Sequence, residues 1–197
     1  MLGFGHWDLG FSNMLVKTIK VGNLQTNCYI VIDEKSREAV VIDPGDEPSK
    51  ILPAIKDLKV RYLILTHGHP DHFGAIDKLK KETKASILMN AKDSWAFKPD
   101  QDLKEGDEIR FGDLVLKVLC TPGHSQGSVC LYTRGFLFSG DTLFPEGCGR
   151  TDLPGGSMEE MENSLRKLSA LPDETQVLPG HDESTTIAKE KERGWLG

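Results

Sequence analysis

The stretch THGHPDH, residues 66–72, places His67, His69, Asp71 and His72 within six positions. The chain has 197 residues and six histidines, so half of its histidines lie in this segment. Histidine is the commonest neutral nitrogen ligand for first-row metals, and aspartate supplies oxygen. Alternate residues of a tight loop can turn to different sides, so one such loop can serve two neighbouring metal ions.

Three more candidate ligands follow along the chain, each directly after a glycine. His124 lies in TPGHSQGS, Asp141 in SGDT and His181 in LPGH. Asp141 can bridge two ions through its two carboxylate oxygens. The resulting seven ligands suffice for two ions with positions left open for water, and open positions distinguish catalytic from structural zinc sites. We expect the glycines before these ligands, and Gly68 in the first loop, to adopt positive φ in tight turns.

Each of these residues also has an ordinary structural interpretation, as a solvated loop histidine or as an aspartate that caps a turn. The combined order of the set favours a metal site instead. A structural zinc site would more often use a closed set of four cysteines, and the four cysteines here have no CxxC spacing. We expect Cys28, Cys120 and Cys130 to be reduced thiols buried as small apolar side chains.

The elements that must position these residues alternate between strands and helices. Strands are predicted at 14–22, 27–34, 38–45, 61–66 and 85–90, a β-meander at 106–133, and further strands within 135–142 and 175–182; helices are predicted at 48–58, 71–83, 157–171 and 184–192. The apolar run 61–66 is predicted to be buried on both faces. This alternation indicates an α/β protein with mixed sheets. Five of the six histidines, and Asp141, then follow the carboxyl ends of strands, where open α/β sheets bind ligands.

Composition and charge narrow the class of protein. A hydrophobic fraction of 38% and a charged fraction of 27% predict one folded domain over 14–197 after an N-terminal extension, 1–13, that contains His6. The net charge of −6 disfavours nucleic acid and anionic membranes as main partners. There is no apolar run of roughly 20 residues and no basic start typical of a signal peptide. We therefore expect a cytoplasmic monomer or homodimer.

In their order along the chain, THGHPDH, PGH, GD and PGH resemble the metallo-β-lactamase-fold hydrolases over residues 14–192. Within that superfamily the chain is similar to the glyoxalase II, or hydroxyacylglutathione hydrolase, branch, in the stretches NCYIV, VIDPG, SGDTLF, GCGRTDLPGG and PGHDESTT. The resemblance implies a four-layer αβ/βα sandwich with two mixed β-sheets, outer helices and a metal site at one edge.

The resemblance also implies a role for each candidate ligand. By position, it assigns His67, His69 and His124 to a first metal ion, Asp71, His72 and His181 to a second, and Asp141 to the bridge. The expected cofactors are two divalent ions, most simply Zn²⁺, with iron or manganese as alternatives, because ligand identity alone does not separate these metals.

The implied activity is hydrolysis of S-acylglutathione-type thioesters such as S-lactoylglutathione. A hydroxide held between the metal ions would attack the small-molecule thioester, and Asp71 would orient it. Arg150, in GCGRTDLPGG, is a candidate for binding a substrate carboxylate, although a salt bridge to Asp152 is its alternative role. Asp43, in VIDPG, is a candidate for holding the ligating imidazoles.

Several alternatives stay open. Only 16 residues follow His181, which leaves no room for the C-terminal helical domain of full glyoxalase II enzymes, so the chain is more similar to the short, single-domain proteins of this type. Glutathione dependence is therefore open. The GCGRTD stretch is also similar to iron-dependent persulfide dioxygenases. Hydrolysis of lactones or phosphodiesters, and a metal-binding module without turnover, are further possibilities.

Overall fold

The protein was analysed as a computed structural model, which describes residues 13–95 and 98–196. The predicted N-terminal extension with His6 lies outside the described residues, apart from Asn13. Among the helices of the described part of the chain, none has the length and apolar character needed to cross a membrane.

The first half of the chain forms a mixed sheet of six strands. In spatial order these are β1 (Met14–Val21), β2 (Thr26–Asp33), β3 (Glu38–Ile42), β4 (Lys59–Ile64), β5 (Ser86–Met89) and β6 (Gln101–Asp102). The first three strands are antiparallel neighbours, and β3 to β6 run parallel. Parallel neighbours need long crossover connections, which here contain α1 (Pro48–Ile55), α2 (Pro70–Phe73) and α3 (Ile76–Thr83).

The second half forms another mixed sheet of six strands. It contains β7 (Glu108–Phe111), β8 (Leu114–Cys120), β9 (Val129–Thr133), β10 (Phe136–Gly140), β13 (Gln176–Pro179) and β14 (Thr185–Thr186). Only β10 and β13 pair in parallel, and α4 (Met158–Leu168) lies in their crossover. The short strands β11 (Leu143–Phe144) and β12 (Gly147–Cys148) form a hairpin after β10, and α5 (Ile187–Glu192) closes the described chain.

The two sheets pack face to face around an apolar core that includes Tyr29, Phe111 and Phe138. Residues of α1 and α3 pack on the outer face of the first sheet, and residues of α4 and α5 on that of the second. This confirms the predicted four-layer αβ/βα sandwich. Because both faces of the sheets are covered, β2 is buried along its whole length. Cys28 and Cys130 are buried as predicted, whereas Cys120, the last residue of β8, is partly exposed.

The predicted helix over 71–83 is instead two helices, α2 and α3, separated by Gly74 and Ala75. The chain bends there because the loop after β3 lies against it. The Ala75 N–H donates to the Pro44 carbonyl (3.0 Å), and a Cβ on Gly74 would lie 2.4 Å from the Gly45 carbonyl oxygen. The bend isolates α2 as a single turn that starts at the first candidate ligand loop.

The prediction that 61–66 is buried on both faces is wrong for its first residue, since Arg61 is exposed. Strand β5 pairs with β4 only from Tyr62 onward, so the start of β4 has no neighbour on that side. The last predicted helix begins at Ile187 rather than at 184, because Thr185 and Thr186 pair with β13. The strands of two residues, β6, β11, β12 and β14, are too short to show an alternating pattern.

We expect Phe138→Ala to lower the free energy of unfolding by about 3–5 kcal/mol, because it removes a large buried side chain from between the sheets. Phe138 is fully buried, and its ring centroid lies 5.2 Å from that of Tyr29. Urea denaturation measures the change. Leu24→Ala, at a side chain that is 65% exposed, serves as the control and should cost less than about 0.5 kcal/mol. A loss below about 1 kcal/mol for Phe138→Ala would contradict this view of the core.

Candidate metal centre

The structure brings the side chains of all seven predicted ligands together at one edge of the sandwich. They lie on the segments that follow β4, β8, β10 and β13, and two of them, Asp71 and His72, lie in α2. Three groups have ligand atoms that all lie within 4.8 Å of one another: His67, His69 and His124; Asp71, His72 and His181; and His67, His72 and Asp141. Both sheets therefore contribute to one cluster, and the third group connects the other two.

Asp141 lies between the histidines of the first two groups. Its Oδ1 atom is 3.5 Å from His72 Nε2. Its Oδ2 atom is 3.5 Å from His124 Nε2 and 3.6 Å from His181 Nε2. One carboxylate thus contacts ring nitrogens from both groups, which is the arrangement that a bridging ligand requires.

Four of the five imidazoles have a polar partner outside the cluster, at Nδ1, whereas His69 directs its Nδ1 into the cluster, 2.8 Å from His124 Nε2. The partners are Thr66 Oγ1 for His67 (3.1 Å), Asp43 Oδ2 for His72 (3.0 Å), the Arg150 carbonyl for His124 (2.8 Å) and the Leu24 carbonyl for His181 (3.0 Å). Such partners fix the orientation of a ring and favour the tautomer protonated at Nδ1. Nε2 is then left to bind a metal ion.

Four buried atoms of the cluster side chains have no hydrogen-bond partner: His67 Nε2, His72 Nδ1, His72 Nε2 and Asp141 Oδ1. His72 Nδ1 lies 3.0 Å from the Asp43 carboxylate, so the other three are the atoms left without compensation. An unsatisfied buried polar atom costs about 1–3 kcal/mol, so three of them side by side need an explanation. A divalent cation provides one, because it accepts lone pairs from nitrogen and oxygen alike. The cluster of imidazoles and carboxylates is thus suited to a divalent metal centre.

Carboxylates raise the pKa of two histidines of the cluster, His72 and His181, whereas burial lowers the pKa of His67 and His69. Burial alone would lower the pKa of His72, but the carboxylates of Asp141 and Asp43 outweigh burial and raise the pKa well above its ordinary value. A hydrogen bond with Asp71 raises the pKa of His181. Burial would raise the pKa of Asp71, yet the adjacent imidazoles of His181 and His72 hold that pKa well below the usual range, so the carboxyl group is ionised.

Asp43 joins the carboxyl ends of β3 and β4. Its Oδ1 atom accepts the Thr66 N–H (2.8 Å), and its Oδ2 atom accepts the Thr66 hydroxyl (2.7 Å) and lies 3.0 Å from His72 Nδ1. The residue is buried and has a φ of +49°. It therefore holds the imidazole of His72 and the strand end before His67 in one arrangement.

The glycines of the cluster serve two different purposes. Gly123 and Gly140 have the predicted positive φ, of +143° and +49°. The prediction is wrong for Gly68 and Gly180, neither of which has a positive φ. At Gly180 the requirement is space, because a Cβ there would lie 2.3 Å from Asp141 Oδ1 and 2.8 Å from His72 Cε1.

Sequence reasoning missed Asp93, a buried carboxylate that connects two of the ligand loops. Its Oδ2 atom accepts the Gly68 N–H (3.1 Å) and the Ser125 hydroxyl (2.5 Å), and its Oδ1 atom accepts the Gly127 N–H (2.7 Å). It lies in a short 3₁₀ turn, Ala91–Asp93, outside any motif. The only local signal is Asn90, which caps this turn by accepting the Lys92 N–H.

Arg150 contacts the cluster through its backbone, since its carbonyl accepts from His124 Nδ1. Its guanidinium donates two hydrogen bonds to Asp152, of 2.7 and 2.8 Å, and both side chains are largely exposed. The structure thus contains the salt bridge that the sequence offers as the alternative role of Arg150. Its binding to a substrate carboxylate stays a prediction.

Comparison with known proteins identifies the family of this fold. A family model described as "Metallo-beta-lactamase superfamily" matches residues 21–181. An uncharacterized protein of Aquifex aeolicus is 43% identical, over 90% of this chain and 94% of its own length. "Hydroxyacylglutathione hydrolase GloC" of Haemophilus influenzae is 34% identical, over 90% of this chain and 95% of its own length.

Solved structures resemble the fold over nearly the whole chain. BLEG-1, a B3 metallo-beta-lactamase, has a TM-score of 0.87 at 32% identity, and the match covers 92% of this chain and 99% of that one. ETHE1 from Myxococcus xanthus has a TM-score of 0.85 at 34% identity, with coverages of 93% and 88%. TTHA1623 in a di-iron-bound form has a TM-score of 0.80 at 34% identity, with coverages of 89% and 97%.

We expect Asp43→Asn to lower the affinity for a divalent metal by about 10- to 100-fold, because the partner of His72 Nδ1 loses its charge. Asparagine tolerates the positive φ of this position, so the backbone should keep its shape. Competition with a chelating dye measures the affinity. Asp77→Asn on the exposed surface of α3 is the matched control and should leave the affinity unchanged. Equal affinities for the two variants would show that Asp43 does not support the centre.

We also expect the apparent metal affinity to fall as the pH decreases from about 8 to about 6. The raised pKa values of His72 and His181 mean that both rings keep a proton at a pH where free imidazole has lost it. A metal ion must displace these protons, so protons begin to compete with the metal at a pH above the ordinary pKa of an imidazole. The dye titration, repeated at several pH values, measures this slope. In Asp43→Asn the fall should shift to lower pH, since Asp43 helps to raise the pKa of His72. An affinity independent of pH would contradict the expectation.

Proposed function

The chain belongs to the metallo-β-lactamase superfamily as a metallohydrolase, and we propose that it cleaves acyl thioesters of the S-acylglutathione type at a binuclear centre. The observation that carries the proposal is the position of Asp141, which contacts the histidines of both ligand groups. The thioester substrate is supported by the relative in Haemophilus influenzae, whose name is that of a hydroxyacylglutathione hydrolase and which matches 90% of this chain.

We propose that two divalent metal ions occupy the cluster. One would be held by His67, His69 and His124, the other by Asp71, His72 and His181, with Asp141 shared between them. When bound, such a pair supplies Lewis-acid chemistry, which draws electron density from a carbonyl oxygen and makes water acidic enough to be a nucleophile at neutral pH. Zinc is the simplest choice for this role, and the di-iron form of TTHA1623 shows that a relative holds iron.

The carboxylates of the chain provide charge and orientation. Asp71 and Asp141 neutralise only half of the charge of two dications, so the centre would favour a carbonyl oxygen as it gains negative charge. Among the described residues, the contacts of Asp71 with Thr26, His72 and His181 all use Oδ2. The Oδ1 atom of this ionised carboxylate is thus left to accept a hydrogen bond from the attacking water and to orient it.

Ser125 and Cys148, the nucleophilic residues that follow the ligands closely in sequence, are poorly suited to attack a substrate. The Ser125 hydroxyl is buried and hydrogen-bonded to Asp93 and Ser128. Burial raises the pKa of the Cys148 thiol, so the less reactive protonated form prevails at neutral pH. Water is therefore the nucleophile that the site favours.

A second candidate is an iron-dependent persulfide dioxygenase. The GCGRTD stretch, residues 147–152, is similar to those enzymes, and the di-iron form of TTHA1623 supports iron as a metal for this fold. The two candidates differ in metal, co-substrate and product. Hydrolysis releases a thiol without consuming oxygen, whereas persulfide oxidation consumes oxygen.

We expect the purified protein to contain two equivalents of metal and to hydrolyse S-lactoylglutathione. Metal quantification on protein produced with a controlled metal supply, beside a thioester assay, measures both. Asp71→Ala and His72→Ala should each reduce turnover by roughly 100-fold or more, because each removes a proposed ligand. Lys81→Ala, on the exposed surface of α3, is the control and should keep full activity.

Oxygen uptake with glutathione persulfide, together with one iron per chain and no thioester hydrolysis, would establish the second candidate instead. A β-lactam substrate belongs in the same series of assays because of the similarity to BLEG-1. Thioester turnover that is unchanged in Asp71→Ala would remove the proposed role of this residue.

A further inference from the structure

A cavity of about 300 Å³ opens beside His69, next to the candidate metal centre. Its lining includes Lys92, Trp95 and Gln126 besides His69. This volume lies at the lower end of the range for small-molecule pockets. A substrate part that occupies this cavity would lie directly beside one of the proposed metal ligands.

Lys92 provides a positive charge in this cavity without a partner in the described structure. The side chain is exposed, and none of the ion pairs among the described residues involves its ammonium group. Other lysines near β6 are paired: Lys80 with Asp100, and Lys104 with Asp102. The charge of Lys92 is thus available to an anion from outside the chain.

The carboxylate in the cavity lining, that of Asp93, does not pair with Lys92. Asp93 is buried and accepts hydrogen bonds from Gly68, Ser125 and Gly127. Its negative charge therefore opposes an anion only at longer range, because its oxygens are directed into the protein. The ammonium of Lys92 is the exposed charge of the lining, and a negatively charged group on the ligand can pair with it directly.

Trp95 forms an apolar wall of the same cavity. Its side chain is 66% exposed, which is unusual for a tryptophan. One side of the ring faces the protein, because a Cβ on Gly68 would lie 3.0 Å from Nε1 and the ring centroid is 6.1 Å from that of Phe73, edge to face. An exposed indole beside a cation can pack against an amide or alkyl chain while the cation binds a charged end.

We propose that this cavity selects thioesters that carry a carboxylate, with Lys92 pairing with the carboxylate and Trp95 packing against the chain that bears it. The inference rests on the proposed thioesterase function and adds the substrate class to it. The carboxylate can belong to the thiol carrier or to the acyl group, and both sources have the same chemistry at Lys92.

Two pairs of thioesters test the inference. The two members of a pair differ in a single carboxylate. S-acetyl-N-acetylcysteine and S-acetyl-N-acetylcysteamine differ on the thiol carrier. S-succinyl-N-acetylcysteamine and S-butyryl-N-acetylcysteamine differ on the acyl group. The pair in which the wild-type protein prefers the anionic member identifies the source of the carboxylate.

Lys92→Ala should raise KM for the preferred anionic thioester about two- to fivefold, with kcat and the neutral partner unchanged, as expected for an exposed ion pair. Lys92→Glu should raise it about tenfold, because the attraction becomes repulsion. Trp95→Ala should raise KM for both members of that pair. Lys81→Ala is the control for loss of one exposed positive charge and should change none of these values.

An equal KM change for the anionic and neutral members in both Lys92 variants would overturn the inference and leave the thioesterase function standing. If the wild-type protein hydrolyses none of the four compounds, the S-lactoylglutathione assay decides the proposed function, and binding decides the inference. Tryptophan fluorescence with S-methylglutathione, which cannot be hydrolysed, measures this binding. A Kd that rises in Lys92→Glu supports the carboxylate site, whereas an unchanged Kd excludes it.

Discussion

The constraint on which this structure depends is the burial of polar ligand atoms without protein partners. His67 Nε2, His72 Nε2 and Asp141 Oδ1 are inaccessible to solvent and lack hydrogen bonds, although most other buried polar groups of the described chain are satisfied. Unsatisfied buried atoms are costly, and three of them from two residue types adjoin one another here. A cation would compensate nitrogen and oxygen at once. The cluster is therefore suited to a divalent metal centre.

The rest of the edge is built to keep these atoms in position. Asp43 and Asp93 are buried carboxylates outside the cluster, and each accepts hydrogen bonds from the loops that hold the ligands. Both carboxylates also lie close to the cluster, so their negative charges would stabilise the cations that the cluster would hold. Glycine at 180 completes the arrangement by removing a side chain that would otherwise overlap Asp141. Ligand geometry is thus set by residues that are not themselves ligands.

Sequence predicts which residues converge in the cluster, because their chemistry is local, but it predicts the residues that support them poorly. His67, His69, Asp71 and His72 lie in one short segment, and the other ligands follow strands that have clear apolar patterns. Asp93 has no such signal, because its role depends on Gly68 and Ser125, which approach it only in the folded chain. The break between α2 and α3 was missed for the same reason, since it results from contact with the loop after β3.

Hydrogen bonds between the two sheets align the ligand loops at this edge. The Asn27 side chain and the Tyr29 hydroxyl, both from β2, donate to the carbonyl of Pro179 at the end of β13 (3.0 and 2.7 Å). The Val129 N–H in turn donates to the Thr66 carbonyl across the sheets (2.8 Å). Ligand loops from the two sheets are therefore fixed relative to one another before any metal binds. Since a metal held by His67 and His124 would connect the same two sheets, its binding energy would add to the stability of the sandwich. The contacts that align the sheets and the contacts that hold the metal would then reinforce each other.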